Sequence, residues 1–175
     1  MPHALFGYRP LAAIVPALLA TGTSVAAAPS PHYVTIVHQA DVTRPAGAVW
    51  ARIGHYCDLT KWMGKPCEIV AGKDGEIGAT RLIDHKIVEI LVGRTATSYT
   101  YTQTDHISAP LHLYHGTLAV EPIDGRSSRI VYTLFYDNNG ISDPTARAKE
   151  VQQRSALFAK AVKTMQSMAE AAPAS

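Results

Sequence analysis

Residues 143–169 read DPTARAKEVQQRSALFAKAVKTMQSMA. Val151, Ser155, Phe158, Val162, Met165 and Ala169 recur at alternating spacings of four and three, which puts them on one face of a helix. Lys149, Gln153, Lys160 and Lys163 fall largely elsewhere. Asp143 can accept the orphan amides of a first turn, and Pro144 fits that turn because its missing N–H would have no partner there. These features predict one long helix from Asp143-Pro144 to about Ala169. Its apolar stripe needs a complementary surface, and the residues before it supply one.

Upstream, the signals alternate with period two and are separated by turns. Ser128–Tyr136 places Ile130, Leu134, Tyr132 and Tyr136 on one parity, and His112–Glu121 does the same for Leu118 and Val120. Thr97–Thr104 carries Tyr99 and Tyr101. Gly78–Ile83 and Ile87–Gly93 flank Asp84-His85-Lys86, a three-residue hairpin loop. Glu68–Ala71 ends at Gly72-Lys73-Asp74-Gly75. A further strand, His32–Val42, opens the domain with Val34, Ile36 and Val42 inward. Between it and the rest, Arg44-Pro45-Ala46 starts a short helix with Val49, Trp50 and Ile53 on its apolar side, and Asp58 is placed to cap a second helical turn through Trp62. Six or seven strands in hairpin order imply an α+β domain built on one curved antiparallel sheet.

The chain has 175 residues, of which 47% are hydrophobic and 17% charged, the composition of a packed domain. A net charge of +2 without any Lys/Arg run excludes a typical nucleic-acid binder. Residues 1–30 carry Arg9, no Lys and no acid, then an apolar stretch from Leu11 to Ala20 and the small residues Val25-Ala26-Ala27-Ala28. These are the parts of a secretory signal peptide, read here as residues 1–27, which implies a periplasmic or secreted protein. The apolar stretch is short for a bilayer span and is broken by Pro16, so no stable span is expected after processing. Losing Arg9 leaves 15 of the 16 basic residues against 14 acidic ones, a balance of +1. In an oxidising compartment Cys57 and Cys67, ten positions apart, are expected to form one bridge, with two buried thiols as the alternative.

Several short motifs follow the same order as in a known group. They are Arg44-Pro45-Ala46-x-x-Val49-Trp50, Cys57-Asp58-Leu59-x-x-Trp62 and Gly75-Glu76-Ile77-Gly78-Ala79-x-Arg81, then Glu89, Ser98-Tyr99-Thr100-Tyr101, Leu118-x-Val120-Glu121-Pro122 and Ser128-Arg129-Ile130. Over residues 33–169 the chain resembles the SRPBCC superfamily, which includes START lipid-transfer domains and pollen-allergen-like proteins, and within it the bacterial polyketide cyclase/dehydratase-like branch. The resemblance implies a single helix-grip domain over residues 32–170, with the sheet wrapped around the C-terminal helix and an apolar ligand enclosed between them. Many relatives place His-Pro after the tryptophan; here Met63-Gly64 follows, so no role tied to that histidine transfers.

Parity nominates the residues of such a cavity. Pairing Ile83 with Ile87 sets Arg81 opposite Glu89, and Glu89 shares the inward parity of Ile87 and Leu91. A buried carboxylate needs a partner, so the two form either a polar anchor or acid/base pair at the cavity floor, or a structural ion pair near the sheet edge. His112 and Tyr114 share the parity of Leu118 and are expected to face the cavity, while His115 faces away. On a strand His112-x-x-His115 therefore does not chelate a metal. Tyr99, Tyr101, Tyr132 and Phe158 complete the expected aromatic lining, and the resemblance implies that Trp62 lies near the cavity mouth, with ordinary packing as its alternative role; the tyrosines also read as core aromatics whose hydroxyls reach water or one another. His85 and His106 are expected in solvent, and no cofactor motif is present.

Three functions remain open at this point. One is an exported carrier that buries a small apolar or aromatic molecule, oriented by Arg81, Glu89 and the tyrosines. Another is a cyclase or dehydratase using Glu89, His112 or a tyrosine as general acid or base. The third is an interaction module using an exposed sheet face. No feature of the sequence sets an oligomeric state.

Overall fold

The computed structural model describes residues 30–104 and 110–171. The expected leader over residues 1–27 and the loop residue His106 lie outside the described residues. Strand β1 (Tyr33–Val42) is followed by helices α1 (Ala46–Ile53) and α2 (Leu59–Met63). Six strands come next: β2 (Cys67–Ala71), β3 (Thr80–Ile83), β4 (Ile87–Thr95), β5 (Ser98–Gln103), β6 (His112–Pro122) and β7 (Ser128–Asp137). Helix α3 (Pro144–Glu170) lies last.

The seven strands form one antiparallel sheet in the order β1-β7-β6-β5-β4-β3-β2. Its inner face follows from the alternation in each strand. Ile130, Tyr132, Leu134 and Tyr136 of β7 are all buried, as are Val34 and Ile36 of β1, with Arg129, Val131 and Thr133 on the other side. The β3–β4 hairpin turns at Asp84-His85-Lys86, with Ile83 paired to Ile87 and Arg81 to Glu89 as the pattern predicts. Asp84 and His85 both adopt positive φ, at 53° and 57°, and short polar side chains tolerate that conformation better than branched ones.

Helix α3 lays its stripe on this inner face. Asp143 caps it by accepting the Ala146 amide at 2.8 Å, and Phe158, Val162, Met165 and Ala169 are buried, joined by Ala161. The last turn of α3 contains no basic residue of its own. Arg44 and Arg52, from the β1–α1 region, donate instead to the carbonyls of Met168, Ala169, Glu170 and Ala171. Two cations thus satisfy and neutralise the negative end of the helix. The two short helices differ in detail from expectation. Helix α1 starts at Ala46, with Pro45 still extended just outside it. The Asp58 carboxylate makes no capping bond to α2; it accepts the His55 amide and the Lys61 ammonium instead. Gly64, which stands in place of the proline of the His-Pro pair, ends α2 at φ 68°, a left-handed position that suits glycine.

Cys57 and Cys67 are bonded, with their Cα atoms 5.4 Å apart. The bridge ties the α1–α2 connection to the start of edge strand β2. Loop entropy assigns such a link about 2–3 kcal/mol, so reduction is expected to lower the melting temperature by roughly 5–10 °C. Thermal unfolding with and without a reductant measures this, and an unchanged midpoint would mean the link is not formed.

Candidate functional site

A cavity of about 240 Å³ lies between α2, α3 and the inner face of β3–β7. Leu59 and Trp62 enter it from α2, Ile83 and Ile87 from the first hairpin, and Leu157 and Phe158 from α3. Its aromatic side is tightly assembled. The Tyr132 ring meets Phe158 at 4.8 Å and Trp62 edge-on at 6.1 Å. The Tyr101 and Tyr132 hydroxyls bond each other at 2.9 Å. Tyr101 can approach because Gly116, its partner on β6, has no side chain: a Cβ there would lie 2.3 Å from the ring. The indole Nε1 of Trp62 is buried and has no hydrogen-bond partner.

The floor is ionic. Arg81 is 1% exposed and Glu89 3%. Arg81 Nε and Nη2 donate to Glu89 Oε2 at 2.8 and 2.6 Å, Nη1 donates to the Tyr56 carbonyl, and Gln103 Nε2 donates to Glu89 Oε1 at 2.8 Å. The guanidinium also lies 4.0 Å from the Tyr56 ring centroid and 4.9 Å from that of Tyr101. Burial works against its charge, but Glu89 and the surrounding tyrosines outweigh burial and hold Arg81 protonated above the ordinary arginine range. Every donor or acceptor of the pair that faces the interior is engaged. That is how two opposite charges persist where an isolated one could not.

Across the cavity Arg154 donates to the Tyr114 hydroxyl at 3.1 Å and to Glu150 at 2.5 Å, and Glu150 accepts the Tyr136 hydroxyl at 2.9 Å. Burial pushes the Tyr114 phenol up to about 12, and it raises Tyr56, Tyr99, Tyr101, Tyr132 and Tyr136 as well. In the unfolded chain these phenols ionise near 10, before the folded protein releases them, so the unfolded state holds fewer protons. Stability is therefore complete below about pH 10 and falls as pH rises beyond it. Absorbance of phenolate is expected to appear for these six residues together with loss of the far-ultraviolet circular dichroism signal; ionisation that precedes unfolding would show them to be accessible.

Seven of the residues nominated by sequence meet at this one cavity: Trp62, Arg81, Glu89, Tyr101, Tyr114, Tyr132 and Phe158. Two do not. His112 is exposed, contrary to expectation. Leu113 takes φ 52°, and between the pairs His112–Asp137 and His115–Phe135 the β6 strand carries one extra residue. That bulge breaks the alternation, so Tyr114 stays inward while His112 turns out. Tyr99 is buried but lines a separate cavity beside α1. Parity also marks a residue that was not nominated, Gln103, two positions after Tyr101 and opposite Glu89. Arg154 is adjacent to the stripe residue Ser155 and reaches in along its own length. Among the described residues, no group of three or more His, Cys, Asp or Glu side chains is placed to hold a metal ion. No described helix is long and apolar enough to cross a membrane.

A family model described as polyketide cyclase/dehydrase and lipid transport matches residues 33–170. The chain belongs to this family. The SRPBCC resemblance read from the motifs is thereby confirmed, and the protein is a ligand-binding or cyclase-like member of it. Among solved structures, a protein from Thermobifida fusca is 25% identical with a TM-score of 0.60, over 75% of this chain and 90% of its own. Norcoclaurine synthase from Thalictrum flavum, as a point mutant with a transition-state analogue, superposes at 0.60 with 16% identity, over 81% and 97%. Ara h 8.0201 superposes at 0.55 with 20% identity, over 78% and 99%. The last two likenesses are likenesses of fold. Comparison with curated protein sequences gives no match.

Proposed function

We propose that this protein is an exported binding protein that holds a small apolar or aromatic molecule between the sheet and α3. The observation that carries the reading is a cavity of about 240 Å³ with largely aromatic walls, whose lining charges are already paired: Arg81 with Glu89 at the floor, Arg154 with Glu150, and Lys65 and Lys86 with Asp84. Burial of ligand surface there contributes about 25 cal/mol per Å² before the costs of association. The Cys57–Cys67 bridge and the leader-like N-terminus support residence in an oxidising compartment outside the cytoplasm.

A cyclase- or dehydratase-like reaction is the second reading, and the Tyr101–Tyr132 hydroxyl pair supports it, since a buried phenol can donate to a reacting carbonyl. The Glu89 carboxylate suits general base catalysis less well, because three donors already occupy its oxygens. Native mass spectrometry of protein purified from its exported compartment tests the binding reading through a co-purifying mass. A panel of naphthyl and acyl compounds provides the parallel arm. At a hundredfold excess over Kd, a ligand adds about 2.7 kcal/mol, or roughly 5–10 °C in melting temperature. If there is neither a bound mass nor a thermal shift, the binding reading is wrong. Turnover lost in Glu89→Gln while binding persists would make the protein an enzyme.

A further inference from the structure

The second cavity, beside α1, is larger than the one assigned above. It encloses about 290 Å³ between α1, the β2–β3 connection and the β4–β5 hairpin. Trp50, Tyr56, Tyr99 and Leu91 form its inner walls, and His55, Asp74, Arg94 and Ser98 its polar rim. The walls belong to one aromatic cluster. Tyr99 meets Trp50 at 5.7 Å and Tyr56 edge-on at 5.3 Å. Arg81, the floor of the first cavity, lies against the Tyr56 ring, so the two chambers stand back to back.

Two observations define what this chamber can take. Tyr56 and Tyr99 are 1% and 2% exposed and their hydroxyls are buried away from the open volume, that of Tyr99 held by Arg81, so half-buried Trp50 is the accessible aromatic wall. At the rim, Asp74 is fully used, one carboxylate oxygen accepting the Tyr56 amide at 2.9 Å and the other His55 Nδ1 at 3.1 Å. Arg94 donates to the Gly75 carbonyl and pairs with no carboxylate among the described residues, so its charge is uncompensated. A flat aromatic wall and a cation at the mouth with no carboxylate partner among the described residues fit a planar ring with an acid at one end. The size agrees, since an apolar cavity of about 150 Å³ holds an unsubstituted benzene ring.

We propose that this chamber is a second binding site, distinct from the one under α3, for a small aromatic carboxylate. The carboxylate meets Arg94 and the ring lies against Trp50.

The two tryptophans make the sites separable, because Trp50 lines this chamber and Trp62 the other. In full-length protein labelled with 5-fluorotryptophan, each indole gives its own fluorine resonance, assigned with Trp50→Phe and Trp62→Phe. Addition of benzoate is expected to shift the Trp50 signal saturably and leave Trp62 in place. Arg94→Gln, an exposed position, is expected to weaken that binding by roughly tenfold or more, the usual loss of a charged hydrogen bond. In the unmutated protein, neutral benzyl alcohol should bind more weakly. A Trp50 signal that does not move at roughly millimolar ligand overturns the proposal. So does a shift of Trp62 alone, which would assign the compound to the cavity under α3 and leave that reading intact. Equal binding of the neutral alcohol overturns the assignment of an anion.

Discussion

Glu89→Ala is expected to destabilise the protein by about 3–5 kcal/mol, the usual consequence of leaving one member of a buried ion pair alone. The partner left behind is Arg81, 1% exposed, with Nε and Nη2 deprived of their acceptor. Gln103 loses its acceptor in the same step. The loss does not measure what the pair contributes, because an apolar pair of similar volume can be as stable. The double variant Arg81→Met/Glu89→Leu is therefore expected to lie closer to the parent than either single substitution. Chemical denaturation of the four proteins completes the cycle. If Glu89→Ala unfolds at the parent's midpoint, Arg81 must find water or another anion, and the floor is more open than described. Ligand binding separates the roles further. A double variant that folds but no longer binds would show that the pair orients the guest as well as supporting the sheet.

Phe158→Ala acts from the other wall. Phe158 is 5% exposed, packs on Tyr132 at 4.8 Å and borders the cavity of about 240 Å³. Removing a buried phenyl ring costs about 3–5 kcal/mol, and the lower part of that range is expected here because one side of the ring already faces open volume. The same deletion enlarges the chamber, so bulkier ligands should bind better relative to small ones. Melting temperatures of the apo protein and ligand-dependent shifts across a size series measure both effects. An unchanged size preference would mean that the guest does not reach α3.

Much of this architecture is legible locally. The four-three spacing from Val151 to Ala169, the Asp143-Pro144 start and the Asp84-His85-Lys86 turn each reflect interactions among residues near in sequence, and each predicted element is present. Register is also local in a tight hairpin. Once Ile83 faces Ile87, the opposition of Arg81 and Glu89 follows from the two-residue repeat, and their inward direction from the company of Leu91. The disulfide belongs here as well, since its two cysteines bracket a short connection.

Other features depend on contacts between distant residues. The period-two rule places His112 in the cavity, but β6 must pair with β5 on one side and β7 on the other, and the extra residue at Leu113 that reconciles them reverses His112. Alternation assigns Tyr99 and Tyr101 to the same face and cannot tell that Trp50 and Tyr56 pack on Tyr99, so that Tyr99 borders one chamber and Tyr101 the other. Nor can it tell that Arg44 and Arg52 end up at the carbonyls of a helix more than a hundred residues away. Periodicity and turn chemistry decide which side of an element is apolar, because those preferences arise between near neighbours. Which apolar surfaces then meet, and where they leave space, is decided only when the whole sheet and its helices compete for one interior.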